Sequence, residues 1–373
     1  MSAHRRFDRD ATCAEVETFE TLWAPPRTLE AALTALDTGP RPSRTTLAML
    51  AGEAGVSLST ISKVLNGHSD VAPATRQRVE QLLDAHAYRR RGSASRESSL
   101  LELVFSDLSN PWGSEILTGV QRVAQERGLS LVLSPSGTRG QPDADWLSGV
   151  LRRKPVAVLL VSTEPAPRLA DQLTSRSIPF AVIDPAGELP AGVASVGSTN
   201  WAGGLAATRH VIQLGHTRIA AISGPDRMLC SLARLDGFRS AMSSARLPVR
   251  DDWVRTGEFQ TEGGRVAAQR MLAGSDRPTA VVAGNDLQAI GVIGAATELG
   301  LRVPEDLSVV GYDDATVAEW ARPALTTVHQ PIRRMAAEAT RIVLRLADGE
   351  RVEQQRLELA THLVVRCSTA PPA

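Results

Sequence analysis

Lysine is nearly missing from this 373-residue chain: Lys63 and Lys154 are the only two, and every other Lys/Arg position is an arginine. Neither lysine stands between a glycine and a Ser or Thr, so the phosphate-cradling Gly-Lys-Ser/Thr loop is excluded. Gly-x-Ser-x-Gly, His-Glu-x-x-His and Gly-x-Gly-x-x-Gly are absent as well. Hydrolase and dinucleotide chemistry therefore have no motif to rest on, and no residue is named as catalytic. The three cysteines, Cys13, Cys230 and Cys367, are too far apart for a zinc knuckle or a disulfide framework, so neither a metal nor another cofactor is expected. No apolar run reaches the roughly 18 residues of a membrane span. Residues 1–20 scatter Arg5, Arg6, Asp8, Arg9, Asp10 and Glu15 where a signal peptide needs an apolar segment. These absences point to a cytoplasmic chain without membrane contact.

What is present is 43% hydrophobic residues in a chain too long for one ordinary core, with a formal net charge of zero. The charge is uneven. Between Arg44 and Arg96 stand eight basic residues (Arg44, Lys63, Arg76, Arg78, Arg89, Arg90, Arg91, Arg96) against four acidic ones (Glu53, Asp70, Glu80, Asp84). Texture divides the chain into four parts. Residues 1–43 mix charges with Pro25, Pro26, Pro40 and Pro42 and read as a disordered extension. Residues 44–91 carry short helical patterns, and 92–99 are small and polar, as in a linker. Residues 100–373 alternate apolar runs with helical patterns.

In TTLAMLAGEAGVSLSTISKVLNG, Leu47, Leu50, Ala51 and Ala54 share one helical face, Gly55 supplies a left-handed turn, and Ser57 is placed to cap the next helix. Ile61, Val64 and Leu65 point inward on that second helix, which leaves Leu58, Ser59, Ser62 and Lys63 to face a major groove. A third helix begins near Pro73 and buries Val79, Leu82 and Leu83 under Tyr88. On spacing alone, any tight helical hairpin fits the same pattern.

The run AGEAGVSLSTISKVLNG, followed by DVAPATRQRV and AYR, closely resembles the N-terminal domain of the lactose/galactose repressor family. The resemblance implies an all-α, lambda-repressor-like helix-turn-helix that binds double-stranded DNA. It implies that Leu58, Ser59 and Lys63 approach base edges, while Ser57, Thr60, Asn66 and Thr75 support the fold or hold phosphates. Arg76 joins this set as a basic residue of the same module. Two features depart from the family. Some 43 residues precede the motif, and the linker lacks the leucine that wedges into the minor groove in most relatives. Arg89, Arg90, Arg91 and Arg96 read either as phosphate contacts or as a solvated linker.

Beyond residue 100 the runs Leu101–Phe105, Leu131–Ser134, Ala157–Val161, Phe180–Ile183, Ile219–Ser223, Ala280–Ala283 and Ser308–Tyr312 read as buried parallel strands. Helices are expected at Ser114–Arg127, Leu169–Ser175, Ala202–Leu214, Ser231–Ala245, Gly264–Ala273 and Leu287–Leu299. This alternation describes a doubly wound α/β fold, whose ligands sit beyond the carboxyl ends of the strands. The residues there are polar: Asp107, Asn110 and Trp112, then Asp184, then Arg234, then Asn285 and Asp286, then Asp313 and Asp314. Carboxylates, an amide and a guanidinium beside aromatic rings suit a polyhydroxylated ligand.

The family resemblance extends over LGHTRIAAISGP with RLDGF, PTAVVAGNDLQAIGV, GLRVPEDLSVVGYDD and PALTTVHQPI, with Cys367 where LVVRCSTAPP departs from a usual glutamate. It implies a periplasmic-binding-protein-like domain of two lobes, joined by crossovers near Thr199, His329 and Thr361. It also implies an effector cleft lined by Trp112, Asp184, Arg234, Phe259, Asn285 and Asp313, with Gln330 near a crossover and Trp201 and Trp320 as weaker candidates. Other roles remain open. Asp286 and Asp313 could cap helices, Arg234 could pair at the surface, Trp112, Trp201 and Phe259 could be core, and His216 fits a helix cap better than a metal site. The implied function is a homodimeric repressor on a near-palindromic operator, controlled by a sugar-like effector. Corepression by a purine or another small metabolite is the alternative, and a sugar-binding protein that never meets DNA is a third possibility.

Overall fold

The computed structural model describes residues 47–65, 71–85, 99–105, 110–136, 144–162 and 167–373. The extension 1–43 and linker residues 92–98 lie outside that set, as do Asn66, Tyr88, Arg89, Arg90, Arg91, Arg96 and Asp107. Three short helices, α1 (Leu47–Ala54), α2 (Leu58–Leu65) and α3 (Pro73–Ala85), belong to one compact unit, and the residues from Ser99 onward form another.

The larger unit holds two six-stranded sheets, one per lobe. Lobe 1 contains β1 (Leu100–Phe105), β2 (Ser130–Pro135), β3 (Ala157–Val161), β4 (Phe180–Ile183), β5 (Ala194–Ser198) and β11 (Arg356–Leu359), in the order β11-β5-β4-β3-β1-β2. Lobe 2 contains β6 (Ile219–Ser223), β7 (Val254–Thr256), β8 (Ala280–Ala283), β9 (Ser308–Asp313), β10 (Thr326–His329) and β12 (His362–Val364), in the order β12-β10-β9-β8-β6-β7. Neighbours pair in parallel except β10 with β12. The helices α4 (Pro111–Glu126), α5 (Ala144–Arg153), α6 (Pro167–Thr174) and α12 (Ile332–Ala347) serve lobe 1. Lobe 2 carries α7 (Asn200–Gln213), α8 (Leu229–Ser244), α9 (Thr261–Leu272), α10 (Asp286–Glu298) and the short α11 (Thr316–Trp320).

The central strands are buried on both faces, as their unbroken branched apolar runs require of parallel sheets covered by helices. β3, β4, β6 and β8 occupy the residues expected from those runs. Where chain segments have other texture, the sequence pattern does not announce them: β5 is the small, polar ASVGS, and β7, β11 and β12 are short pieces at sheet edges.

The chain passes between lobes three times, at 198–200, 329–332 and 359–362, matching the crossovers anticipated at Thr199, His329 and Thr361. The passages are tied together. Thr361 N–H donates to Thr199 Oγ1 at 3.0 Å, and Gln330 Nε2 donates to Ser198 Oγ at 3.0 Å. Next to them α7 and α8 touch backbone to backbone, because a Cβ at Gly204 would lie 2.2 Å from the Arg234 carbonyl oxygen and one at Gly237 2.2 Å from that of Trp201. Any larger residue at either glycine would push α8, and Arg234 with it, away from the hinge. Among the described residues no helix is long and apolar enough to cross a membrane, and no cluster of His, Cys, Asp and Glu is arranged to hold a metal.

His216 closes α7 as expected, its N–H bonding the Val211 carbonyl after Gly215 at φ +100°. The ring does more than cap. Buried at 2% exposure, it places Nε2 2.9 Å from the Ala370 carbonyl oxygen and Nδ1 2.9 Å from Thr279 Oγ1, strapping the C-terminal segment onto lobe 2. The carbonyl must receive a proton, so Nε2 carries it, and Nδ1 accepts from the hydroxyl. Burial holds this imidazole below the ordinary histidine value. An unfolded chain takes up a proton there near about pH 6.5 that the folded chain refuses, so the contribution of this imidazole to stability is full above that pH and is lost below it. Because buried carboxyls such as Asp313, raised to about 7, pull the other way over the same range, the test is a difference: between pH 7.5 and 5.5 the parent should lose thermal stability relative to His216→Gln, and identical pH profiles would remove His216 from the effect.

Candidate functional site

In the helical unit the α1–α2 turn has the features the sequence predicts. Gly55 adopts φ +64°, and Ser57 Oγ accepts the Thr60 N–H at 3.1 Å while bonding the hydroxyls of Ser59 at 2.7 Å and Thr60 at 2.9 Å. Ala51, Ala54, Ile61, Val64, Val71 and Val79 form the small core, with Leu50 also buried and Leu82 packed against it. The outer face of α2 presents Leu58, 53% exposed, together with Ser59 and Lys63, while Thr60 and Thr75 are half-buried. An exposed leucine beside a hydroxyl and an ammonium makes a mixed apolar and donor surface, of the kind that reads thymine methyls and guanine acceptors in a major groove. Ser62 and Arg76 lie on α2 and α3, but their side chains, like those of Leu47, Leu65 and Leu83, are outside the described set.

In the larger unit a cavity of 310 Å³ opens between the lobes, at the carboxyl ends of both sheets. Lobe 1 contributes Phe105, Asn110, Trp112, Ser162 and Asp184; lobe 2 contributes Met228, Cys230, Arg234, Phe259, Asn285 and Asp313, among others. Asn110 caps α4 by accepting the Gly113 N–H at 2.7 Å, which fixes the turn that carries Trp112. Asp184 follows β4 at φ +50° and Asp313 ends β9 at φ +105°, so both carboxylates leave their strands through left-handed backbone. Such backbone is costly for residues other than glycine and clusters at functional sites.

Arg234 organises the lobe 2 wall. Its Nε donates to Asn200 Oδ1 at 2.8 Å, Nη1 to the Gly284 carbonyl at 2.6 Å, and Nη2 to Gln330 Oε1 at 3.4 Å. The guanidinium carbon lies 3.7 Å from the Tyr312 ring centroid and 5.8 Å from that of Phe259. Asp313 Oδ1 is 3.5 Å from Nη1, close enough for an ion pair but lacking a hydrogen bond. Burial raises the Asp313 carboxyl to about 7 against the pull of Arg234, and it raises Asp184 in the same way. The Cys230 thiol is pushed up to about 12, chiefly by burial and then by Asp184, so it stays protonated and chemically quiet.

Six of the expected ligand residues, Trp112, Asp184, Arg234, Phe259, Asn285 and Asp313, therefore share one cavity. Gln330 lies behind it, holding Arg234. Trp201 does not line it. Asn200, Gly203 and Gly204 occupy the inward stripe of α7, so residue 201 turns outward and is 47% exposed. Trp320 is also turned to the surface, 69% exposed on α11. The helix-capping alternative falls to a neighbour: Asn285, not Asp286, caps α10 by accepting the Gln288 N–H at 2.9 Å. Asp286 instead accepts from Ala315 N–H at 2.9 Å and Thr327 Oγ1 at 2.6 Å, tying three elements of lobe 2 together. Sequence reasoning passed over Cys230, Met228, Asn200 and Tyr312. The last was hidden as the closing residue of an apolar run, and the other three lie just before or at the starts of helices, where no strand end marks them.

Comparison with known proteins agrees with this architecture. Residues 46–91 match the family described as bacterial regulatory proteins, lacI family, and residues 208–369 match a periplasmic binding protein-like domain. The chain is 33% identical over 337 residues to the HTH-type transcriptional regulator DegA of Bacillus subtilis (strain 168), covering 88% of this chain and 99% of DegA. It is 35% identical over 337 residues to the HTH-type transcriptional regulator CelR of Thermobifida fusca, covering 87% and 98%. A solved CelR–cellobiose complex superposes with a TM-score of 0.66 over 87% of this chain and 100% of that one. The lac repressor dimer bound to operator and an anti-inducer does so with 0.65 at 26% identity, over 88% and 100%. With a regulatory head, a two-lobed binding domain and identity along nearly the full length of DegA and CelR, this chain belongs to the LacI family of bacterial regulatory proteins.

Proposed function

We propose that this protein is a homodimeric, cytoplasmic repressor whose hold on a near-palindromic operator is set by a sugar-like effector in the interlobe cavity, and that it has no catalytic role. The observation that carries this reading is the cavity's construction: Asp184 from one lobe faces Arg234 and Asp313 from the other, with Trp112 and Phe259 among the walls. Hydroxyl groups satisfy such acceptors and donors while ring faces pack on the aromatics, and a ligand bound to both lobes favours their closure. The cellobiose in the CelR complex supports a carbohydrate, and the operator in the lac repressor complex supports a two-fold DNA-bound dimer. On the head, Leu58, Ser59, Ser62 and Lys63 read bases, whereas Ser57, Thr60, Asn66, Thr75, Arg76 and Arg89 to Arg91 support the fold or hold phosphates. Effector and operator are coupled through the lobes, typically by about 1–3 kcal/mol.

Two substitutions separate the sites. Lys63→Ala should lower affinity for a selected genomic fragment by about 1–3 kcal/mol in a fluorescence anisotropy titration and leave sugar binding intact. Unchanged DNA affinity would take Lys63 out of base reading. Arg234→Ala should abolish the effect of sugar on DNA binding while the head still binds. It should also lower the stability of the larger unit by about 3 kcal/mol in urea, because a buried carboxylate loses its partner. A parental response to sugar in that variant would contradict the cleft assignment.

A further inference from the structure

Gln288, the third residue of α10, is fully buried and does not line the cavity. A primary amide in the interior must find partners for two hydrogens and an oxygen. This one finds them all on the loops behind the lobe 2 wall. Its Nε2 shares its hydrogens among the carbonyls of Ser223 at 3.1 Å, Gly257 at 3.3 Å and Glu258 at 3.1 Å, and its Oε1 accepts the Gly284 N–H at 3.1 Å. Three carbonyls on one side and an N–H on the other leave one orientation of the amide. The side chain joins the carboxyl ends of β6 and β8 to the loop between β7 and α9.

Phe259 follows Glu258 in that loop, and Gly224 follows Ser223 at the end of β6. The ring sits so close on Gly224 that a Cβ there would meet three of its atoms at 2.1, 2.3 and 2.6 Å. Besides Gln288, the loop is held by Gly257 N–H on the Ser223 carbonyl at 3.0 Å and by Asn285 Nδ2 on the Phe259 carbonyl at 3.3 Å. At the exposed rim Thr256 bonds Asp226 at 3.1 Å and Arg227 bonds Glu258 at 3.3 Å, contacts that water weakens. We propose, resting on the effector reading above, that Gln288 is a positioning residue of the effector site, which seats the Phe259 ring against Gly224 as the apolar wall for a sugar ring. A wall fixed before the ligand arrives gives up less conformational freedom on binding, and that raises affinity. The same first turn of α10 carries Asn285, whose Oδ1 takes the Gln288 N–H at 2.9 Å, so one helix start sets an amide and an aromatic of the cavity together.

A double-substitution cycle tests this, by isothermal titration calorimetry of the full chain with glucose, galactose and cellobiose at a temperature where circular dichroism shows each variant folded. Gln288→Met keeps the reach of the side chain and removes its hydrogen bonds. It should weaken the tightest of the three sugars about tenfold. Phe259→Ala should weaken that sugar about tenfold in the parent but less than about threefold in the Gln288→Met chain, because an unseated ring has less to lose. Parental affinity in Gln288→Met would overturn the inference while leaving a carbohydrate effector standing. So would equal losses from Phe259→Ala in both backgrounds, which is how a general effect on the fold would read. Gly224→Ala keeps the amide and displaces the ring, and it decides the matter if Gln288→Met does not fold: binding about tenfold weaker supports the seat, and parental affinity overturns it. No heat from any of the three sugars with the parent chain would overturn the carbohydrate reading itself, and this inference with it.

Discussion

The buried guanidinium of Arg234 is the contact on which the rest of the larger unit turns. It reaches Asn200 at the first interlobe crossover, Gln330 at the second and the Gly284 carbonyl at the end of β8, while Asp313 and Tyr312 meet its charge and its face. Removing such a charge from water is costly, and only this full set of partners offsets the cost. The same atoms therefore hold the hinge and form the cavity wall. A ligand that alters the field around Arg234 acts directly on the joint between the lobes, with no relay of intermediate residues to invoke.

Close backbone packing makes this arrangement possible. Gly204 and Gly237 let α7 and α8 approach until Arg234 hangs beside the crossover, and Gly224 leaves room for the Phe259 ring, which a Cβ there would meet at 2.1 Å. Asp286, although it lines the cavity, is spent on holding β10 and the start of α11 in place. Charge in the cavity is thus divided between Asp286, bonded within lobe 2, and the pair Asp184 and Asp313, which line it from opposite lobes.

Much of the fold could be read from sequence because buried parallel strands need unbroken branched apolar runs, and β3, β4, β6 and β8 have them. β5 is buried but built from small residues, and β7, β11 and β12 are short edge strands, so none of them carries such a signal. The strand-end rule collected Asn110, Trp112, Asp184, Arg234, Asn285, Asp286 and Asp313, all in the cavity, and the family resemblance added Phe259, which is there, and Trp201, which is not, because helical rotation turns position 201 away while Asn200 and Gly204 face inward. Tyr312 acts behind the wall, where only three-dimensional contact reveals it, whereas Gln330, expected near a crossover, takes its place there by holding Arg234. In the head, the Gly55 turn and the Ser57 cap were legible because each follows from one residue's local chemistry.

The central claim is that occupation of the cleft and grip on DNA are two sides of one equilibrium. It is tested most directly by measuring the dissociation constant of a bound sugar with and without a saturating operator fragment. Linkage requires the fragment to change sugar affinity by the same factor that sugar changes operator affinity, about fivefold or more. A sugar dissociation constant that is the same with and without DNA would contradict the account.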